Sequence, residues 1–253
     1  MSSSSLSLLD SYSQRKDLPL LRLFNPQRLK KEGIYVALEG INGVGKSTAI
    51  NNVANALRGL NYQVTTTLEP GGTSLGKRLR SILLEERDSN FPEQISPIAE
   101  MLLFAADRAQ SVTQVVNPAL IRGEIVLSDR SLLSAIAFQG TGRGLDETLI
   151  FEINARAVSG IIPDHIFVFD LPPEEAERRL QLRYANYPQN KSKDVMEKEN
   201  STFHQAVRDS FLRIAKSEPK WCTVISALLS PEEITEQVLK HCLSLLNQQG
   251  KNC

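Results

Sequence analysis

The chain has little cysteine, histidine or tryptophan and no excess charge of either sign. Its 253 residues include three cysteines, three histidines and one tryptophan. Cys222, Cys242 and Cys253 are odd in number, fall late in the chain and form no Cys-x-x-Cys pair. That argues against a disulfide framework and a thiolate zinc site, and fits a reducing, cytoplasmic setting. His165, His204 and His241 are scattered without ligand spacing, so core or surface roles are their default. Lys plus Arg (29) equals Asp plus Glu (29). A balanced charge argues against a duplex nucleic-acid binder, whereas a small anionic ligand needs only a local cluster. No apolar run approaches membrane-spanning length, so no membrane partner is expected.

What is present is an ordinary globular composition, long enough for one α/β domain. Residues 1–32 differ from the rest. Met1 to Ser13 is serine-rich, and Arg15, Lys16, Arg22, Arg28, Lys30 and Lys31 make the segment basic. It has no apolar stretch with a small-residue cleavage site, so it is not a secretory signal. It reads as a flexible extension or a short packed arm through Leu18 to Phe24. Import into an organelle is the alternative, weakened by Asp10, Asp17 and Glu32.

The most informative segment is Gly40-Ile41-Asn42-Gly43-Val44-Gly45-Lys46-Ser47, a complete Gly-x-x-x-x-Gly-Lys-Ser phosphate loop, with Thr48 following. Ile34 to Leu38 before it is apolar and β-branched, as a buried parallel strand would be. Ile50, Val53, Ala54, Leu57 and Leu60 after it have helical spacing. Glycines let successive N–H groups turn inward on an anion, and the helix N-terminus adds positive potential. Lys46 can reach the outer phosphates of ATP, and Ser47 can take a Mg²⁺ position. The competing reading is a glycine-rich turn that binds nothing; the flanking strand and helix favour the cradle.

Further along, Tyr62–Leu68 reads as a strand broken by Glu69-Pro70-Gly71-Gly72-Thr73. Leu75–Glu86 reads as a helix with Leu75, Leu79, Ile82 and Leu83 on one face, and 87–92 as a loop. Ser96 and Pro97 are suited to cap and open a helix to Gln110, which resumes from Ser111 toward Ile121. A buried strand covers Ile125–Ser128 and ends at Asp129-Arg130. Ser131–Phe138 reads as helix, Gly140–Gly144 as loop and Asp146–Val158 as helix. His165–Asp170 reads as strand, followed by Pro172-Pro173 and a helix through Arg183. Residues 184–198 are irregular and lysine-rich. A helix over Glu199–Ser217, a strand over Cys222–Ile225 and a helix over Pro231–Leu246 close the chain. This alternation predicts a three-layer α/β fold, a parallel sheet of about five strands flanked by helices, over residues 33–253. Ligands in such sheets sit at the carboxyl ends of the strands, where the phosphate loop, Glu69, Asp129 and Pro172-Pro173 all fall.

Asp129 ends an apolar strand and could complete a Mg²⁺ site with Ser47; Arg130 could neutralise a second phosphate. The alternative is a strand-end salt bridge, which a neighbouring phosphate loop makes the weaker reading. Phe104 and Arg108, four apart, share a helix face suited to a nucleotide base. A core Phe with a solvated Arg explains the spacing as well. Arg178, Arg179 and Arg183 lead into Lys191 and Lys193; they read as a basic lid over a moving phosphoryl group or as a solvated charged helix, and spacing leaves both open.

Several segments occur together in one order: Glu39-Gly40 with the phosphate loop, Glu69-Pro70-Gly71-Gly72-Thr73, Leu102 to Arg108, Ser128-Asp129-Arg130 with Ser134, Phe138 to Gly144, and Pro163-Asp164. Over about residues 33–245 the chain resembles the thymidylate kinase family. The resemblance implies phosphoryl transfer from ATP to dTMP, with Mg²⁺, giving ADP and dTDP, in a homodimer. It implies that Phe104 stacks on thymine, Arg108 contacts the base and Arg130 binds the dTMP phosphate. Glu69, Pro70, Ser134, Phe138 and Gln139 then line the acceptor pocket. Lys46 and Arg130, with Arg179 and Arg183 from a mobile lid at about 184–198, are the implied catalytic cations, because this phosphate loop has no arginine. Asn42 stands where the family usually has an acid, Leu68 where Arg is frequent, Phe138 where Tyr is frequent, and Val195 where a lid arginine is expected. These departures leave two further readings: a kinase for another pyrimidine (deoxy)nucleoside monophosphate such as dUMP, and a catalytically weak, nucleotide-binding regulatory homologue.

Overall fold

A computed structural model describes residues 33–84, 93–186 and 194–250. The extension over 1–32, the loop over 87–92 and the lysine-bearing part of the expected lid, with Lys191 and Lys193, lie outside the described residues.

The chain runs β1 (Ile34–Glu39), α1 (Lys46–Gly59), β2 (Val64–Leu68), α2 (Ser74–Leu84) and α3 (Pro97–Ser111). A π-helical stretch, Val112–Val116, leads directly into α4 (Asn117–Ile121). Then follow β3 (Ile125–Asp129), α5 (Leu132–Ala135) with a π-helical continuation over Ile136–Gly142, and α6 (Glu147–Val158). The rest is β4 (His165–Asp170), α7 (Pro173–Asn186), α8 (Ser201–Ser217), β5 (Cys222–Ser226) and α9 (Pro231–Gly250). The five strands form one sheet in the order β2-β3-β1-β4-β5, and every pairing is parallel. The predicted α/β class and strand number hold.

Every residue of β1 is buried, as a central strand covered on both faces requires. β2, at one edge, is only partly buried and carries three consecutive threonines, Thr65 to Thr67. α1 packs against α9, and both lie on β1. α8 packs on β4, β5 and the Ile136–Gly142 stretch, while α3 packs between α2 and α6. β1 has β3 on one side and β4 on the other, so connections leave it in opposite directions and a crevice opens at its carboxyl end.

Ser96 caps α3 as predicted, its side chain accepting from the Ala99 amide, and Pro97 opens the helix. Three expectations need correction. Leu79 and Leu83 of α2 are buried, but Leu75 and Ile82 are 44% exposed, so the four leucine-type residues do not share one buried face. Gly140-Thr141-Gly142 is helical, not loop. A Cβ on Gly142 would lie 2.5 Å from the Phe203 ring, so glycine there serves close packing against α8 and does not signal a turn. Tyr184–Asn186, read as the start of the lid, continue α7.

His165 and His241 take core roles. Their rings stack at 3.8 Å between centroids, and His165 Nε2 pairs with Thr223 Oγ1 at 2.9 Å. Burial, with His241 adding to it, lowers the His165 pKa to about 3, and burial also lowers that of His241. An unfolded histidine titrates near 6.5, so between these values the unfolded chain binds more protons. The contribution of the neutral pair to stability is full above pH of about 6.5 and is lost as pH falls toward 3. The gap in melting temperature between the natural protein and His165→Gln should therefore be wider at pH 7.5 than at pH 4.5. An equal gap at both would contradict the assignment.

Candidate active site

The site begins at the end of β1. Gly40 and Gly43 have φ of +135° and +83°, backbone that glycine adopts without strain. A Cβ on either would also press on backbone, 2.6 Å from the Phe169 carbonyl and 2.7 Å from that of Ala176. The loop is thus wrapped tightly against β4 and α7. Ile41 and Val44 are buried and anchor it from beneath, while Gly45 at φ +96° turns it into α1. Lys46 is buried, and its Nζ donates to the carbonyls of Gly40 at 3.2 Å and Ile41 at 2.9 Å.

Asn42, Gly43, Gly45, Lys46, Ser47 and Thr48 line a cavity of about 690 Å³, large enough for a nucleotide. Across the loop, the Ser47 hydroxyl donates to Asp129 Oδ2 at 2.7 Å. Strand order brings these residues together: β3 pairs with β1 with Asp129 opposite Leu38, one residue short of the loop. A hydroxyl and a carboxylate side by side at the mouth of an anion cradle are hard oxygen donors, and this pair fits Mg²⁺.

Arg130 joins this cavity to a deeper one. Its backbone has φ +74°, unusual for a side chain of this size. Its guanidinium donates to the Gly40 carbonyl at 2.8 Å, to Ser134 Oγ at 3.1 Å and to Asn42 Oδ1, and lies 4.9 Å from the centroid of the Phe138 ring. Every one of those acceptors is neutral. Beneath it, Glu39 is buried and accepts from the Ser131 and Ser134 amides at 2.8 and 3.2 Å and from their hydroxyls at 2.9 and 2.6 Å. Burial raises the Glu39 pKa, while Arg130 and the serine hydrogen bonds oppose the rise.

The second cavity brings together Glu69, Pro70, Phe104, Arg108, Arg130, Ser134, Phe138 and Gln139, the residues expected around the acceptor, and adds Asn42 of the phosphate loop, which was expected on the ATP side alone. Arg108 is not solvated: it is 2% exposed and belongs to this cavity. It donates to Glu69 Oε2 at 2.8 Å, to the Ser131 carbonyl at 3.1 Å and to Asn154 Oδ1. Burial raises the Glu69 pKa to about 7 although Arg108 pulls it down. Phe104 is half-buried at the same wall.

Arg179 and Arg183 line the larger cavity; exposed Arg178 instead pairs with Glu175 at 2.7 Å. Arg179 donates to Glu175 at 3.1 Å and to the Ala227 carbonyl at 3.0 Å. Arg183 donates to Tyr184 Oη at 2.9 Å and to Glu197 Oε1 at 3.0 Å. Sequence reading gave no role to Arg80, and placed Asp194 and Met196 only in the expected lid. Arg80 and Asp194 line both cavities and Met196 the deeper one; Arg80 also donates to the Pro70 carbonyl at 2.9 Å. A lone arginine ending Lys77-Arg78-Leu79-Arg80 has no pattern of its own; only its place just after Gly-Gly-Thr could have marked it.

The fold and the paired cavities define a phosphate-loop protein with a nucleotide site next to a second, polar-mouthed site. The comparisons agree. A family model for thymidylate kinase matches residues 38–238. A thymidylate kinase of Nitratidesulfovibrio vulgaris (strain DSM 19637 / Miyazaki F) is 42% identical over 218 residues, 86% of this chain and 100% of that protein. One of Leifsonia xyli subsp. xyli is 42% identical over 208 residues, 82% of this chain and 93% of the relative. The crystal structure of thymidylate kinase from Ehrlichia chaffeensis superposes with a TM-score of 0.63 at 28% identity, covering 82% of this chain and 97% of that one. The chain belongs to the thymidylate kinase family.

Burial lowers the Lys46 pKa to about 7, Arg130 adding to the effect, while Asp129, Glu39 and Glu197 pull it back up. Phosphates arriving beside it favour its charged form. ATP binding at pH 8 should therefore take up protons, read by calorimetry in two buffers of different ionisation enthalpy. Binding without net uptake would contradict a partly neutral lysine in the empty cradle.

Proposed function

We propose that the chain transfers the γ-phosphoryl group of ATP to dTMP, giving ADP and dTDP. The observation that carries this reading is Arg130, whose one guanidinium touches both the phosphate loop and the wall of the acceptor cavity. ATP lies along Gly40–Thr48, and dTMP occupies the second cavity with its base between Phe104 and Pro70 and its phosphate facing Arg130 and Arg80. A dTMP 5′-phosphate oxygen attacks the γ-phosphorus in line; the new P–O bond forms as the bond to the β-phosphate oxygen breaks. A phosphate monoester is largely dianionic near pH 7 and needs no strong general base. Rate enhancement then comes from alignment and charge neutralisation. Lys46 holds the donor phosphates, Arg130 the acceptor phosphate, and Arg179 and Arg183 neutralise the group in flight. The segment that follows α7, to about residue 198, acts as the lid that keeps water from competing. Mg²⁺, held by Ser47 and Asp129, supplies further charge neutralisation on the phosphates.

Phe138 supports Arg130 through its ring face, a role that needs no hydroxyl. Asn42 holds the same guanidinium without adding a negative charge. Asn42 thus leaves the Arg130 charge uncompensated and Phe138 leaves its packing intact, which favours catalysis over a purely regulatory role. The free, buried Cys222 and Cys242 suit a reducing, cytoplasmic setting. No helix of the described residues is long and apolar enough to cross a membrane.

The working unit is a homodimer. Leu75 and Ile82 on α2, Ile98 and Leu102 on α3, and Leu149 on α6 are exposed on three helices that pack side by side, and Leu102 is 51% exposed. An apolar face spread over neighbouring helices suits an isologous contact with a second copy.

Lys46→Ala should lower turnover on dTMP by about 10³-fold in a coupled ADP-release assay; near-normal turnover would refute the assignment. Arg130→Ala should raise the KM for dTMP by about 10- to 100-fold with the KM for ATP little changed. Unchanged dTMP affinity would show the acceptor pocket misplaced. Leu102→Glu should shift the protein from dimer to monomer in sedimentation velocity, and an unshifted dimer would place the interface elsewhere.

A further inference from the structure

The acceptor cavity holds one side chain whose orientation decides which base edge it can read. Gln139 is 2% exposed and lines the cavity. An amide has a donor end and an acceptor end, and which faces inward depends on its neighbours. Here the neighbour is Glu100, buried on α3, whose Oε1 accepts from Gln139 Nε2 at 2.9 Å. Glu100 is in turn held by Arg143, whose Nε and Nη2 approach its two oxygens at 3.3 Å each. Arg143 is itself fixed by Glu199 and by the face of Phe203, 5.1 Å from its guanidinium carbon.

A carboxylate paired with an arginine only accepts hydrogen bonds. Gln139 must therefore turn its NH₂ to Glu100, and its carbonyl oxygen is left for a ligand. Arg108, on the same wall, only donates. Its bonds to Glu69, Asn154 and Ser131 use three of its five N–H groups and leave one on each terminal nitrogen. The cavity thus offers a donor at Arg108 and an acceptor at Gln139. Thymine and uracil present the complement, an N3–H beside a C4 carbonyl. Cytosine presents the reverse, a bare N3 beside an amino group, and would set a lone pair against the Gln139 oxygen and N–H groups against the Arg108 donors.

We propose that Glu100 is a positioning residue for base specificity: by accepting from the Gln139 amide it holds the Gln139 carbonyl toward the base, and so selects imide-bearing pyrimidines over cytosine. This rests on the reading of the second cavity as the dTMP site. A site built around hydrogen bonds discriminates strongly because a wrong partner leaves buried groups unpaired.

The experiment measures kcat/KM for dTMP, dUMP and dCMP in the natural protein, Glu100→Gln, Gln139→Met and the double variant. An amide at position 100 can donate as well as accept, so it frees Gln139 to turn. Glu100→Gln should shrink the dTMP:dCMP ratio by at least about tenfold, mainly through KM, with the KM for ATP and the dTMP:dUMP ratio unchanged. Gln139→Met should shrink the same ratio, and Glu100→Gln should add nothing in that background. Glu100→Met gives the same readout if Glu100→Gln does not fold. A ratio within twofold of the natural one in the position-100 variant, an equal loss on dTMP and dCMP, or additive effects in the double variant would overturn the inference. A natural protein that does not discriminate against dCMP would overturn it as well. A natural protein without turnover on dTMP would instead overturn the kinase reading itself.

Discussion

The structure depends most on one buried carboxylate. Glu39 closes β1 immediately before the phosphate loop, and four hydrogen bonds from Ser131 and Ser134 converge on it. Taking an ionised carboxylate out of water is costly unless its lone pairs are filled. These donors fill them, and they come from Ser131, which caps α5, and Ser134 in its first turn, where the helix field favours negative charge. The strand that carries the donor site is thereby fastened to the helix that carries the acceptor site. One side chain at the end of β1 thus ties the phosphate loop to the segment that carries Ser134 of the second cavity.

The charges around this link follow a consistent arrangement. Lys46 and Arg130 bond only to neutral oxygens: carbonyls, a hydroxyl and an amide. Their positive charge is left for phosphates on both sides. In the second cavity the cation is treated differently: Arg108 is paired with Glu69 and held at three points, so on the proposed reading it offers a base hydrogen bonds in place of net charge. Asn42 and Phe138, which depart from the family pattern, both end up supporting Arg130. Asn42 leaves the surroundings of Arg130 more cationic than an acid at that position would.

Much of this was readable in the linear chain, because the pattern and the physics coincide there. An apolar run followed by spaced glycines and a Lys-Ser pair has few other uses, so β1, the loop and α1 were placed correctly. Ser96-Pro97 announced a helix start through local capping chemistry that needs no tertiary partner. The readings that needed correction depended on distant neighbours. Gly140 and Gly142 read as a loop because glycine usually marks one, yet Gly142 is glycine because Phe203, sixty residues away, packs on it. Leu75, Leu79, Ile82 and Leu83 read as one apolar face, but spacing does not say how much of that face the neighbours cover: Leu79 and Leu83 are buried, Leu75 and Ile82 exposed. Arg80 carries no motif, and only the folded cavity reveals it; Asp194 and Met196, read as part of the lid, are shown by the fold to line the cavities.

The sequence by itself determined the fold class, the parallel order of alternating strands and helices, the phosphate cradle and the family, because these follow from periodicity and from contiguous motifs. Only the tertiary structure decided that Arg108 is a buried, clamped side chain and not a solvated charge, that Arg130 is shared between two cavities, and that the Gln139 amide pairs with Glu100. Each of these is set by contacts between residues far apart in the chain, whose hydrogen-bond partners must all be counted before the direction of any one donor is known.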